Sequence, residues 1–250
     1  MGKALGIDIG GSGIKGAVVD TETAELMSER MRVDTPQPST PEAVAEAVKQ
    51  LVALLDYQGP VGCTFPAIVK NGVMHSAANV DKSWIGTDGQ TLFEQTVGMP
   101  FVVLNDADAA GVAEITFGAG KGRDGIVILL TFGTGIGSAM FLDGKLLPNT
   151  EFGHLQLRGK EAEARAAARI KDEKELSWEE WAERVNEYLL HLEFIFSPDL
   201  FIFGGGVSKR HEKFFRYFTV TTELVPAFFF NDSGIIGAAM AAAAKPLSSH

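Results

Sequence analysis

Apolar residues recur along this chain with two different periods. Short runs rich in β-branched and aromatic residues predict strands at residues 61–66, 101–104 and 200–203, and a hairpin over about residues 3–33. Helical spacing appears at Val44, Val48, Leu51, Val52 and Leu55. It follows the loop Thr35-Pro36-Gln37-Pro38-Ser39-Thr40-Pro41, whose last two residues make an N-cap and first-turn pair. Residues 161–196 predict helix, charged at first and then apolar at Leu189, Leu192, Ile195 and Phe196. Residues 235–244 predict a helix of small residues that can pack closely.

Two glycine-dense turns, each following an apolar strand, stand out from this background. One is Asp8-Ile9-Gly10-Gly11-Ser12-Gly13-Ile14-Lys15, the other Thr131-Phe132-Gly133-Thr134-Gly135-Ile136-Gly137-Ser138. A gapless alignment sets Asp8 on Thr131, Gly10 on Gly133 and Asp20 on Asp143, so the chain reads as two related halves. Strand–turn–strand units followed by strands alternating with helices predict an α/β protein of two similar lobes with a cleft between them. The boundaries expected are 1–109 with 234–250 for one lobe and 110–233 for the other, meeting near residues 105–110. Glycine lets backbone N–H groups approach an anion, and Ser12 and Thr134 add hydroxyls. Two such turns facing each other would clamp phosphate, with Gly10, Gly11, Ser12, Gly13 and Lys15 on one side and Thr131, Gly133, Thr134 and Gly135 on the other.

Three other phosphate-binding patterns fit less well. Gly11-Ser12-Gly13-Ile14-Lys15-Gly16 matches the dinucleotide fingerprint, but a β-branched stretch follows where that motif requires a helix. It also matches a protein-kinase glycine loop, yet no H-R-D or D-F-G occurs downstream. No Gly-Lys-Ser/Thr tripeptide supports a Walker A loop.

Composition narrows the function. The 250 residues carry 22 basic and 32 acidic side chains, a net charge of −10, which argues against non-specific nucleic-acid binding. Cys63 is the one cysteine, so neither a disulfide framework nor a cysteine-built zinc site is expected. No signal peptide is read at the N-terminus, and a cytoplasmic protein is expected. Residues 125–142 are uncharged and long enough to span a bilayer, but their glycines and hydroxyls favour strand–turn–strand, and no membrane association is expected.

Phosphoryl transfer to an alcohol needs an anion cradle, a metal, a base beside the hydroxyl and groups that hold the acceptor. Asp106, at the end of the 101–104 strand, is the candidate base. The alternative is that it N-caps the helix that follows, with Asp108 as the nearest substitute base. Asp8 lies before the first glycine turn, where it could hold Mg²⁺ through water or orient Lys15. Glu151 and His154 flank Gly153 at a spacing that suits a polyol, although a lone histidine is often structural. Asn79 and Asn105 can each donate to and accept from paired sugar hydroxyls. Gly204 and Gly205, after the 200–203 strand, could admit a nucleobase or further phosphates, or form a tight turn.

Together these motifs resemble the ROK family of sugar kinases within the actin-like ATPase superfamily, which carries a ribonuclease H-like duplication. Asp8-Ile9-Gly10-Gly11-Ser12 and Gly133-Thr134-Gly135-Ile136-Gly137 resemble its two phosphate motifs, and Gly204-Gly205-Gly206 its adenosine region. Asn105-Asp106 matches its catalytic aspartate and Glu151-Phe152-Gly153-His154 its sugar signature. Asn79 to Trp84, Gly159 to Glu163 and Pro198 to Lys209 resemble a polyphosphate-using branch. The resemblance implies Mg²⁺-dependent transfer of a terminal phosphate from inorganic polyphosphate to the 6-hydroxyl of glucose in a homodimer, with Asn79, Asn105, Asp106, Glu151 and His154 on the sugar. ATP as second or sole donor stays open. A sugar-sensing repressor is disfavoured because the first strand begins almost at the N-terminus. Residues 155–175 lack the cysteines of the family's zinc motif, so zinc is not expected. Lys121 with Arg123, Arg158 with Lys160, Arg165 with Arg169, and Lys209, Arg210 and Lys213 are candidates for a polyanion.

Overall fold

A computed structural model describes residues 2–77 and 80–244; Asn79 lies outside the described residues. The chain divides into two units, one of residues 1–113 with 232–250 and the other of residues 114–231.

In the first unit, β1 (Lys3–Ile9), β2 (Gly13–Asp20) and β3 (Met31–Asp34) form an antiparallel meander. α1 (Pro41–Leu54) follows, with the Thr40 side chain accepting from the Ala43 N–H at 3.4 Å. β4 (Val61–Phe65) then pairs parallel to β1. After α2 (Gly89–Val97), β5 (Phe101–Asn105) pairs parallel to β4 and runs directly into α3 (Asp106–Thr116). The sheet order is β3-β2-β1-β4-β5. β4 is buried along its whole length, as a central parallel strand must be.

The second unit repeats this plan. β6 (Ile126–Phe132), β7 (Ile136–Leu142) and β8 (Lys145–Leu147) form the meander. The helices α4 (Ala162–Ala166), α5 (Ala168–Glu173) and α6 (Trp178–Phe196) come next. β9 (Leu200–Gly204) and β10 (Glu223–Pro226) then add in parallel, giving the order β8-β7-β6-β9-β10. The uncharged 125–142 segment is therefore β6, the glycine turn and β7. No helix among the described residues is long and apolar enough to cross a membrane.

One helical expectation needs correction. Residues 161–196 do not form continuous helix: Ala167 adopts an extended ψ of 153° between α4 and α5. Ser177 then starts α6 afresh, accepting from the Glu180 N–H at 3.2 Å while its own N–H donates to Glu180 Oε2 at 2.8 Å. This reciprocal cap satisfies two end groups that a continuous helix would have satisfied internally.

The last helix, α7 (Ser233–Ala244), belongs to the first unit and lies on β1 and β4. It lies so close that a Cβ on Gly6 would strike the Ile235 carbonyl, and one on Gly62 the Ala238 carbonyl. Gly237 faces the Ala109 carbonyl of α3 in the same way. We predict that Gly62→Ala destabilises the protein by about 3 kcal/mol, at the upper end of overpacking costs, because the obstacle is rigid backbone. A lower urea midpoint with an unchanged denaturant slope is the expected reading.

Candidate active site

In the first unit the glycine turn is held by its carbonyls. Thr35 Oγ1 donates to the Gly10 carbonyl at 2.6 Å, Gln37 Nε2 to Gly11 at 3.4 Å and Arg32 to Ser12 at 2.9 Å. Gly10 N–H closes the turn onto the Gly13 carbonyl at 3.0 Å. The carbonyl oxygens that would repel an anion are thus each engaged by a donor. Lys15 sits opposite Asp8 in the β1–β2 register. Asp8, half-buried, accepts from the Thr64 hydroxyl at 2.8 Å through Oδ1. Among the described residues Oδ2 has no such partner. One carboxylate oxygen beside a glycine turn suits a hard divalent ion that takes its other ligands from water and phosphate. Gly234, near the start of α7, lies next to this carboxylate, so the positive end of that helix faces the same place.

The helix cap weighed as the alternative role for Asp106 is made by its neighbour. Asn105 Oδ1 accepts from the Ala107 and Asp108 N–H groups at 2.9 and 3.2 Å, and Nδ2 donates to the Ala67 carbonyl at 3.1 Å. Asn105 is almost buried and its amide is largely committed to backbone. Asp106 is exposed, and its Oδ1 accepts from the adjacent Ala107 N–H at 2.8 Å. Asp108 is 2% exposed. Of the two aspartates, Asp106 is the one a dissolved substrate can reach.

In the second unit, the turn Thr131–Gly135 closes through Gly133 N–H to the Gly135 carbonyl at 3.0 Å. Gly204 pairs with Thr131 across the β6–β9 ladder. Gly205, at φ +84°, packs onto the Phe132 backbone where a side chain could not fit. Gly204 and Gly205 therefore lie beside the second glycine turn, at the C-terminal end of β9.

Glu151 and His154 are clamped to β7. Ser138 Oγ donates to the Thr150 carbonyl at 2.7 Å and accepts from the Phe152 N–H at 3.0 Å, while the Thr150 hydroxyl donates back to the Ser138 carbonyl at 3.0 Å. Gly153 lies against the Ile136 carbonyl, where a Cβ would clash. His154 Nε2 stands 3.8 Å from Glu151, and Nδ1 3.3 Å from Glu161. A fourth member, Glu163, accepts from the Ile136 N–H at 3.2 Å. Ligand atoms of His154, Glu161 and Glu163 lie within 4.8 Å of one another. An imidazole among three carboxylates offers many acceptors and a donor, the complement of a polyhydroxylated ligand.

Glu161 and Glu163 were not singled out by their chemistry in the sequence. They return to His154 because Gln156 pairs with Glu161 in a short hairpin, a turn that charged residues conceal. Thr64 was likewise missed; its signal was the register opposite Asp8 in a strand read only as apolar.

Burial pushes the Glu151 carboxyl above its usual range; His154 pulls it down and Glu163 pushes it further up. Glu163→Gln should therefore lower the Glu151 pKa and His154→Ala raise it, as followed by carbon NMR of the labelled carboxyl. An unmoved value in Glu163→Gln would leave burial as the sole cause of the upward shift.

Comparison with known proteins places these features in a lineage. Residues 4–168 match the ROK family. A polyphosphate glucokinase of Mycobacterium tuberculosis is 50% identical over 241 residues, covering 96% of this chain and 91% of that protein. The crystal structure of an inorganic polyphosphate/ATP-glucomannokinase from Arthrobacter sp. strain KM superposes with a TM-score of 0.92 at 50% identity, covering 97% of this chain and 99% of that one. A ROK family glucokinase from Streptomyces griseus, solved with glucose and AMPPNP, gives 0.81 at 27% identity, covering 96% and 99%.

Proposed function

This chain belongs to the ROK family, and from that membership we propose that it moves the terminal phosphate of inorganic polyphosphate to the 6-hydroxyl of glucose, with ATP as a second donor. The observation that carries the reading is about half identity to polyphosphate glucokinases over nearly the whole chain. It acts in the cytoplasm and as a homodimer in this reading.

Asp106 accepts the proton of the 6-hydroxyl as its oxygen bonds to phosphorus, and the donor leaves one phosphate shorter. Asn79, Asn105, Glu151 and His154 hold the sugar, with Glu163 as an added partner of Glu151 and His154. The backbone amides of Gly10, Gly11, Ser12 and Gly13, with Lys15, and those of Thr131, Gly133, Thr134 and Gly135 receive donor phosphates, with Gly204 and Gly205 beside the second set. Kinase chemistry of this type uses a divalent ion. Here Asp8 would hold Mg²⁺, which when bound neutralises charge on the donor phosphates.

The alternative is a strictly ATP-dependent hexose kinase, favoured by the AMPPNP in the Streptomyces structure. Purified protein supplied with glucose, Mg²⁺ and either polyphosphate or ATP separates the two by glucose 6-phosphate formed. Turnover from ATP alone would replace the first reading with the second. Asp106→Asn should lower kcat by at least about 10²-fold with glucose binding kept, in line with general-base contributions. Near-normal turnover would remove Asp106 from the base role. Glu151→Gln should raise the KM for glucose more than that for the donor, and equal effects on both would contradict its sugar assignment.

A further inference from the structure

The cations that could receive a polyanion differ in what they already hold. Arg123 is paired with Glu223 at 2.5 Å. Arg158 and Arg165 share Glu187 at 2.5 and 2.6 Å, and Arg169 lies 3.5 Å from Glu173. Lys209, Arg210 and Lys213 make no ion pair with a carboxylate among the described residues. All three are exposed and sit on the 3-10 helix Gly206–Lys213, which continues from the end of β9.

A further cation joins them. The Lys171 ammonium of α5 lies 4.5 Å from the centre of the Trp178 ring, and the Lys213 ammonium 5.9 Å from that same ring. Phe214 stacks on Trp178 at 5.5 Å and 16°, which fixes the indole. The Lys171 side chain is only 18% exposed, and its nearest carboxylate, Asp172, is 3.8 Å away with its side chain 87% exposed to water. An indole attracts cations, but two ammonium groups on one ring also repel each other. A mobile anion bridging them relieves that repulsion.

Both cation-bearing elements start at the phosphate turn of the second unit. The Arg169 N–H, near the start of α5, donates to the Gly133 carbonyl at 3.1 Å. The 3-10 helix begins right after Gly205, which rests on Phe132. We propose that Lys171 and Lys213, gathered on Trp178, form with Lys209 and Arg210 a track for the body of a polyphosphate chain whose reacting end lies at Thr131–Gly135. The proposal rests on the donor reading above and deepens it. A nucleotide ends in an uncharged nucleoside after three phosphates, whereas polyphosphate carries further charge outward. In a protein of net charge −10, local cations must supply the attraction.

The test compares tripolyphosphate with long-chain polyphosphate as donors, using wild type, Lys213→Gln and the double variant Lys171→Gln with Lys213→Gln. In the double variant the KM for the long chain should rise about tenfold relative to that for tripolyphosphate, from two lost cation–phosphate pairs. Lys213→Gln, at an exposed position, should give part of that change without a folding defect. The fall of long-chain affinity with salt should also be shallower in the variants, because fewer counterions are released on binding. An unchanged KM ratio, or equal losses for both lengths, overturns the track while leaving the donor reading intact. A wild type active with ATP and with neither polyphosphate overturns the donor reading and the track with it.

Discussion

Contact between backbones, possible only where a side chain is missing, underlies the placement of several candidate site residues. α7 lies on β1 and β4 because Gly6 and Gly62 offer no Cβ to its carbonyls, and Gly237 does the same toward α3. In the second unit Gly153 brings the Glu151–His154 turn onto β7, and Gly205 sets the third glycine turn on Phe132. Such contacts tolerate almost no added volume, since packed interiors transmit rather than absorb misfit. They fix the positions of Asp8, Glu151 and His154 through main chain, which is stiffer than side-chain packing.

Much of this arrangement was legible in the sequence. The two glycine turns, their gapless alignment and the strands before them correspond to two sheets with the same order of strands. Thr40 and Pro41 start α1 as their chemistry dictates. Periodicity failed where capping decides: Ser177 and Glu180 are three apart amid a continuous helical pattern, so a new helix start hides inside it. Apolar spacing reports burial and says nothing of where backbone hydrogen bonds are interrupted.

The site was legible to a lesser degree, for a different reason. Asn105 and Asp106 are neighbours with similar capping ability, and which of them turns toward the helix depends on the Ala67 carbonyl supplied by another segment. Glu163 reaches the histidine through a hairpin and a helix start, a path no linear spacing encodes. Trp178 collects Lys171 and Lys213 from separate elements, whereas Arg123 and Arg158 are neutralised by glutamates remote in sequence. A charge count cannot separate occupied cations from available ones.

The two-way bonding between Ser138 and Thr150 has a thermodynamic consequence. Because the turn bearing Glu151 and His154 is latched to a central antiparallel strand by donor and acceptor in both directions, its entropy is lost when the chain folds. In the sugar-binding role proposed for this turn, a ligand arriving there meets groups already arrayed and forfeits little of its binding energy to ordering them. The latch thereby moves the cost of selectivity from each catalytic cycle to a single event in the life of the molecule.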